Sequence, residues 1–154
     1  MSRNRLHFTI WQKPVPQMRH RHTKNGFTYD PSSPDKKQFL LECLQYKPKR
    51  PYVGSIAIEL MFFMQRPKAH YGTGKNLHTL KPKAPYEHIT KPDTDNLAKF
   101  VLDALGGCVF FFHDDRQVMD LRSRKLYANK RDNARTSVWI SPVEKEDIER
   151  WNTN

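Results

Sequence analysis

Carboxylates are scarce in this chain. Sixteen Asp and Glu stand against 27 Lys and Arg, leaving a formal charge of +11 and a pI near 9.8. That imbalance points to an anionic partner, nucleic acid first and an anionic membrane second. Cysteine is rarer still. Cys43 and Cys108 stand far apart with no C-x-x-C, which argues against zinc and suits buried thiols in a reducing compartment. No apolar run approaches the length of a membrane-spanning helix, and Met1-Ser2-Arg3-Asn4-Arg5 lacks the apolar stretch of a signal peptide. A cytoplasmic protein with no membrane partner is therefore expected. There is no internal repeat and no low-complexity tail. The 154 residues, 37% of them hydrophobic, suffice for one domain over 1–154 with a modest core.

Four of the few acids fall in two short stretches, Lys91-Pro92-Asp93-Thr94-Asp95-Asn96-Leu97-Ala98-Lys99 and Asp114-Asp115-Arg116-Gln117-Val118. The first opens a helix. Leu97, Phe100, Val101, Ala104 and Leu105 recur with the period of a one-faced amphipathic helix. Pro92 keeps the residue before it out of the α region, and Asp93, Thr94 or Asp95 can cap the first turn. Asp95, Lys99 and Asp103 follow at i, i+4, i+8 on the face opposite the apolar stripe. From that spacing alone a solvated charge ladder is the better reading. What tilts the balance is the sequel: Gly106-Gly107 ends the helix, and Val109-Phe110-Phe111-Phe112 reads as an apolar strand running into Asp114-Asp115. A strand ending in paired acids brings carboxylates beside a helix terminus. Clustered carboxylates in a basic protein are what a divalent-metal site on a nucleic-acid enzyme requires.

Elsewhere, Leu6, Phe8 and Ile10 alternate with polar neighbours in an opening half-buried strand that Pro14 and Pro16 end. A loop with Arg19, His20, Arg21, His22 and Lys24, turned by Asn25-Gly26, is either a solvated hairpin or a phosphate contact. Ser33-Pro34 supplies an N-cap and an N1 proline for a helix buried through Phe39, Leu40, Cys43 and Leu44. Val53–Met64 is the clearest strand, with both faces expected to be covered. From Arg66 to Thr90 periodicity disappears. This long loop, carrying Lys75 and feeding into Lys91, is either a mobile basic flap whose Tyr71 and Tyr86 are free to stack on bases or a floppy insertion. Val118–Tyr127 alternates, with Asp120, Arg122 and Arg124 on one side, and Thr136–Ile140 reads as a last strand. Ser141-Pro142-Val143-Glu144 has the form of a capping box before a short helix. The sum is a mixed α/β (α+β) single domain with a mixed sheet packed by helices.

The motifs K-P-D-T-D-N-L-x-K, D-A-L at Asp103-Ala104-Leu105, D-D-x-Q-V at Asp114–Val118 and K-x-Y at Lys125–Tyr127 resemble the signature of the RusA-type Holliday junction resolvases. The resemblance is specific over 91–127 and looser over the first 65 residues. It implies a Mg²⁺-dependent endodeoxyribonuclease, with Mn²⁺ substituting and no small-molecule cofactor. Such an enzyme acts as a homodimer on four-way DNA junctions, nucleoid-associated in a bacterial, phage or other viral setting. By motif, Asp93, Asp95 and Asp115 would hold one or two Mg²⁺ ions, and Lys99 would serve cleavage. The segment between D-A-L and D-D is one residue longer than the family pattern. Because consecutive strand residues face opposite ways, Asp114 stands as the alternative ligand. The carboxylates are expected close enough to repel one another without a cation. Arg19, Arg21, Lys24, Lys75, Lys91, Arg122, Arg124 and Lys125 are the expected DNA contacts. Phe110–Phe112 or part of Val53–Met64 would supply a dimer interface, unless both are intramolecular core. A nuclease for flaps or forks shares every residue of this reading. A non-enzymatic basic binding module competes with it on composition alone, but has no use for carboxylates beside its cationic surface.

Overall fold

Strict alternation from Ile56 to Met64 makes the strand on which the molecule is built. Ile56, Ile58, Leu60, Phe62 and Met64 are buried on one face, while Ala57, Glu59, Met61 and Phe63 are partly buried on the other. The computed structural model describes residues 4–154. In chain order its elements are β1 (Leu6–Ile10), β2 (Arg21–His22), β3 (Thr28–Tyr29), α1 (Ser33–Cys43), β4 (Ile56–Met64), α2 (Thr94–Gly106), β5 (Val118–Tyr127), β6 (Arg135–Pro142) and α3 (Lys145–Asn152). Four strands form one sheet in the order β1-β6-β4-β5. β6 pairs antiparallel with both β1 and β4, and β5 pairs parallel with β4, so the sheet is mixed. A parallel neighbour requires a crossover, and α2 lies within it. No helix among the described residues is long and apolar enough to cross a membrane.

The core lies between one face of the sheet and α1 with α2. Leu97, Phe100, Val101, Ala104 and Leu105 of α2 share it with Phe39 and Cys43 of α1 and the inward residues of β4. The opposite sheet face carries charge where a second covering layer was expected. Glu59 takes Arg5 at 3.2 Å and Arg124 at 3.1 Å, Arg122 pairs with Asp120 at 3.3 Å, and the Arg135 guanidinium lies 3.5 Å from the Phe63 ring centroid.

Three expectations are corrected. Val109–Phe112 is a turn, joined to the chain by a single bridge from Tyr52 to Phe112 and by Tyr52 N–H donating to Phe111 O at 2.8 Å. Phe111 and Phe112 are fully buried, so their apolarity plugs the end of the core and does not pair in the sheet. The N-cap of α1 is Ser32, one residue early, and its hydroxyl accepts from Met18 N–H at 2.8 Å. β6 runs on through Pro142, which moves the N-cap of α3 to Glu144; there Asp147 accepts from the Glu144 N–H at 3.2 Å. β4 has neighbours on both of its edges.

The aperiodic stretch from 66 to 90 has a framework after all. Arg66 is buried; its Nε donates to Ala128 O and its Nη1 to Pro85 O, both at 2.6 Å, and its guanidinium lies over Tyr86 and Tyr127. A bridge joins Tyr71 to Leu80, and Tyr127 N–H donates to Tyr86 O along the outer edge of β5. Tyr71, expected to be free for stacking, is buried beneath Arg131. A long chain folded around one arginine leaves no hydrophobic period to read.

Side chains also hold α1 to α2. The Lys36 ammonium lies 2.6 Å from Asp30 and 3.2 Å from Asp103. Burial alone would raise the Asp30 carboxyl, but the Lys36 ammonium, the Ser32 N–H and Gln17 outweigh it and bring it down to about 2. A lowered carboxyl contributes stability above its unfolded value and loses it as pH falls through the folded one. Asp30→Asn should therefore cost about 1–3 kcal/mol at neutral pH. That difference should vanish as pH falls toward about 2, read by urea denaturation across a pH series.

Candidate active site

Asp93 is the N-cap residue of α2, with φ −73° and ψ 148°, yet its carboxylate makes no capping hydrogen bond. Among the described residues neither Asp93 nor Asp95, which follows in the first turn, forms a salt bridge. Both are exposed, as is Lys99 one turn along. Two acids at the positive end of a helix are electrostatically at ease there. Left without partners, they are free to bind something else.

The approach to Asp93 is braced from the sheet. Lys125 Nζ donates to Thr90 O at 2.6 Å and to Pro92 O at 2.7 Å, across the cis Lys91–Pro92 bond. Lys125, expected as a DNA contact, thus holds the backbone that presents Asp93. In front of Asp93 opens a cleft of about 760 Å³ lined by Arg19, Lys91 and Asn96 among others. Arg21 and Lys24 stand on the exposed hairpin nearby, and Lys75 is exposed on the 66–90 segment. Arg122 and Arg124 lie on the charged face of the sheet, opposite α2, so the structure does not bring them to this cleft.

The paired acids take different jobs. Asp114 caps a short 3-10 turn, Asp115–Gln117, accepting from Arg116 N–H at 2.8 Å and from the Arg116 guanidinium at 2.9 and 3.0 Å. These bonds hold its carboxyl below the usual range. Asp115 instead turns its carboxylate against the last turn of α2, where a Cβ on Gly106 would lie 2.1 Å from Oδ1. Partial burial, then Asp103 and Asp114, push its carboxyl up. Of the two acids, Asp115 is the one aimed at the acidic helix.

It meets that helix at the far end. Gly106 lies eleven residues beyond Asp95, roughly 16 Å along the axis. Within one chain Asp115 neighbours Asp103, and Asp93 and Asp95 stand apart from it. Among the described residues no three of His, Cys, Asp or Glu are gathered closely enough to hold a metal ion. Hard carboxylate oxygens suit Mg²⁺ in kind, but a single copy does not assemble the expected three-acid set: Asp115 stands at the other end of the helix from Asp93 and Asp95.

Gln117, the unassigned letter of D-D-x-Q-V, sets this geometry. Its Oε1 accepts from His113 N–H at 2.7 Å and Asp114 N–H at 3.0 Å, while Nε2 donates to Tyr52 O at 3.0 Å and Gly54 O at 2.9 Å. Only a side-chain amide serves two donors and two acceptors at once, which is the one signal the sequence offered. Gln117→Ala should lower stability by about 2–4 kcal/mol by urea denaturation. Gln117→Glu should do no better near neutral pH, since a carboxylate would face the Tyr52 and Gly54 carbonyls.

A family model for Endodeoxyribonuclease RusA matches residues 12–141, a span that begins just after β1 and takes in the hairpin, both core helices and the whole acidic segment. The chain is also 30% identical over 143 residues to the protein YqaN of Bacillus subtilis (strain 168), itself described as uncharacterized, covering 90% of this chain and 96% of that one. With the match running from before the cleft's Arg19 to past the brace of Lys125, this chain belongs to the RusA endodeoxyribonuclease family.

Proposed function

We propose that this protein is a Mg²⁺-dependent endonuclease, Mn²⁺ substituting, that resolves four-way DNA junctions by symmetric nicks during recombination and repair in a bacterial or phage-infected cytoplasm. The observation that carries this reading is the pair Asp93 and Asp95 at a helix mouth in a chain of +11 charge, without a salt bridge among the described residues, the first of them lining a cleft with Arg19 and Lys91. A bare binding module would keep carboxylates away from phosphate. Asp93 and Asp95 would hold the cation, which supplies an activated water and charge neutralisation at neutral pH. Lys99, one turn along, is placed to meet charge developing on the cleaved phosphate. Arg19 and Lys91 orient the strand, and Lys125 keeps Asp93 in place through the Thr90 and Pro92 carbonyls.

The span of α2 also supports a homodimer. If Asp115 serves the same ion as Asp93 and Asp95, it must come from a second copy, because its own chain holds it about three helical turns away. Two-fold symmetry then yields two equal sites, as a four-way junction with opposed scissile strands requires.

Purified protein with an end-labelled junction should give paired symmetric nicks in Mg²⁺. Those nicks should be absent on matching linear duplex, after chelation and in Asp95→Asn, which should still bind the junction. Tight binding with no Mg²⁺-dependent nicking would leave only a binding module, and equal cutting of flaps would broaden the substrate class. The shared site has its own test. Asp95→Asn and Asp115→Asn should each be inactive, yet mixed heterodimers regain one intact site and nick a single strand. A mixture as dead as its parts would return all the acids to one chain.

A further inference from the structure

Phe27 is 72% exposed, more than any other described Phe, Tyr or Trp. Trp11 and Tyr86 are also exposed, but Arg135 lies 5.3 Å from the first ring and Arg66 5.3 Å from the second. Among the described residues no ring or cation packs against Phe27. Holding a phenyl ring in water forgoes the favourable transfer of its apolar surface.

The ring is held out by design of the turn. Thr23 N–H donates to Phe27 O at 2.8 Å, Gly26 N–H to Thr23 O at 3.0 Å, and Phe27 N–H to the Thr23 hydroxyl at 3.1 Å. Gly26 has φ +82°, a value suited to glycine in this turn. The β2–β3 hairpin around it carries Arg19, Arg21 and Lys24 with no acid between residues 18 and 29, and none of the three cations forms a salt bridge among the described residues. Its root is fixed to the acidic helix: Gln17 N–H donates to Asn96 O at 2.9 Å, and Gln17 Nε2 reaches Asp30 at 3.0 Å. A polyanion drawn to the hairpin's cations would therefore meet the ring on an element whose root is tied to the helix that carries Asp93 and Asp95.

Resting on the nuclease reading above, we infer that Phe27 stacks on a base left unstacked at the branch point of the DNA. This contact would set the preference for branched over linear substrate. The cations recognise phosphate alike in both DNAs, whereas a continuous duplex offers no free base face and leaves the ring idle. Base–aromatic stacking tolerates any base, so the contact adds selectivity for structure and not for sequence.

The test uses the full chain in EDTA, so that cleavage does not intervene, with a four-way junction bearing 2-aminopurine at the branch point and a matching duplex. Wild type should quench the probe on binding the junction; Phe27→Ala should abolish that quenching and weaken junction binding by about 5- to 150-fold and duplex binding by less than about twofold. Phe27→Trp should retain both preference and quenching. Arg21→Ala should weaken both DNAs together and lower the salt slope by about one. Equal losses on junction and duplex in Phe27→Ala, or no loss, would overturn the proposal while leaving the nuclease reading intact. A change in sedimentation would overturn it in favour of a contact between copies of the chain. A wild type with no preference for branched DNA would overturn the reading of the substrate and the proposal with it.

Discussion

Leu97, Phe100, Val101, Ala104 and Leu105 share one buried core with Ile56, Ile58, Leu60 and Phe62, and once they do, α2 has a single face left to offer. Full burial of one such side chain is worth about 1.5–3 kcal/mol, so rotating the helix would expose several at once. That seam fixes the azimuth of Asp95 and Lys99 and sends both toward solvent. The ends of the helix are pinned separately. At its start, Lys125 reaches from β5 to the Thr90 and Pro92 carbonyls; at its end, Gln117 ties the acidic turn to Tyr52 and Gly54 just ahead of β4. Helix, brace and tie all refer back to the same strand pair.

The few acids are distributed unevenly. Asp30 and Asp103 share Lys36, Glu59 lies between two arginines, Asp114 is chelated by Arg116, and Asp147 pairs with Arg150. Exposed pairs of this kind contribute little, while the partly buried Lys36 pair locates α1 on α2. Among the described residues Asp93 and Asp95 form no salt bridge, and they differ from other unpaired acids such as Asp35 and Glu87 in standing together at a helix mouth, where a cation could enter.

Much of this was legible in the sequence, and the reasons it stopped are specific. Period made α2 and β4 readable, since burial on one face leaves a mark at i, i+3, i+4 or i, i+2. It failed at Val109–Phe112, where four apolar residues fit a buried turn as well as a strand, and only the position of Tyr52 decides. It failed again at 66–90, where one guanidinium satisfied by carbonyls organises the chain without any apolar repeat. Motif spacing singled out four acids, but adjacency in a signature is not adjacency in space. A helix three turns long stands between Asp95 and Asp115, and its length was already written in the residues that form it.

Gly106 carries a further consequence. An alanine there would favour the helix by up to about 1 kcal/mol, and the backbone conformation would permit it, since Gly106 is not among the positive-φ glycines. The Asp115 carboxylate fills the space that a methyl group would need. The position therefore sets thermostability against site geometry. A campaign that screened this fold for heat resistance alone would be drawn to that substitution and would harden the scaffold while dismantling what it carries.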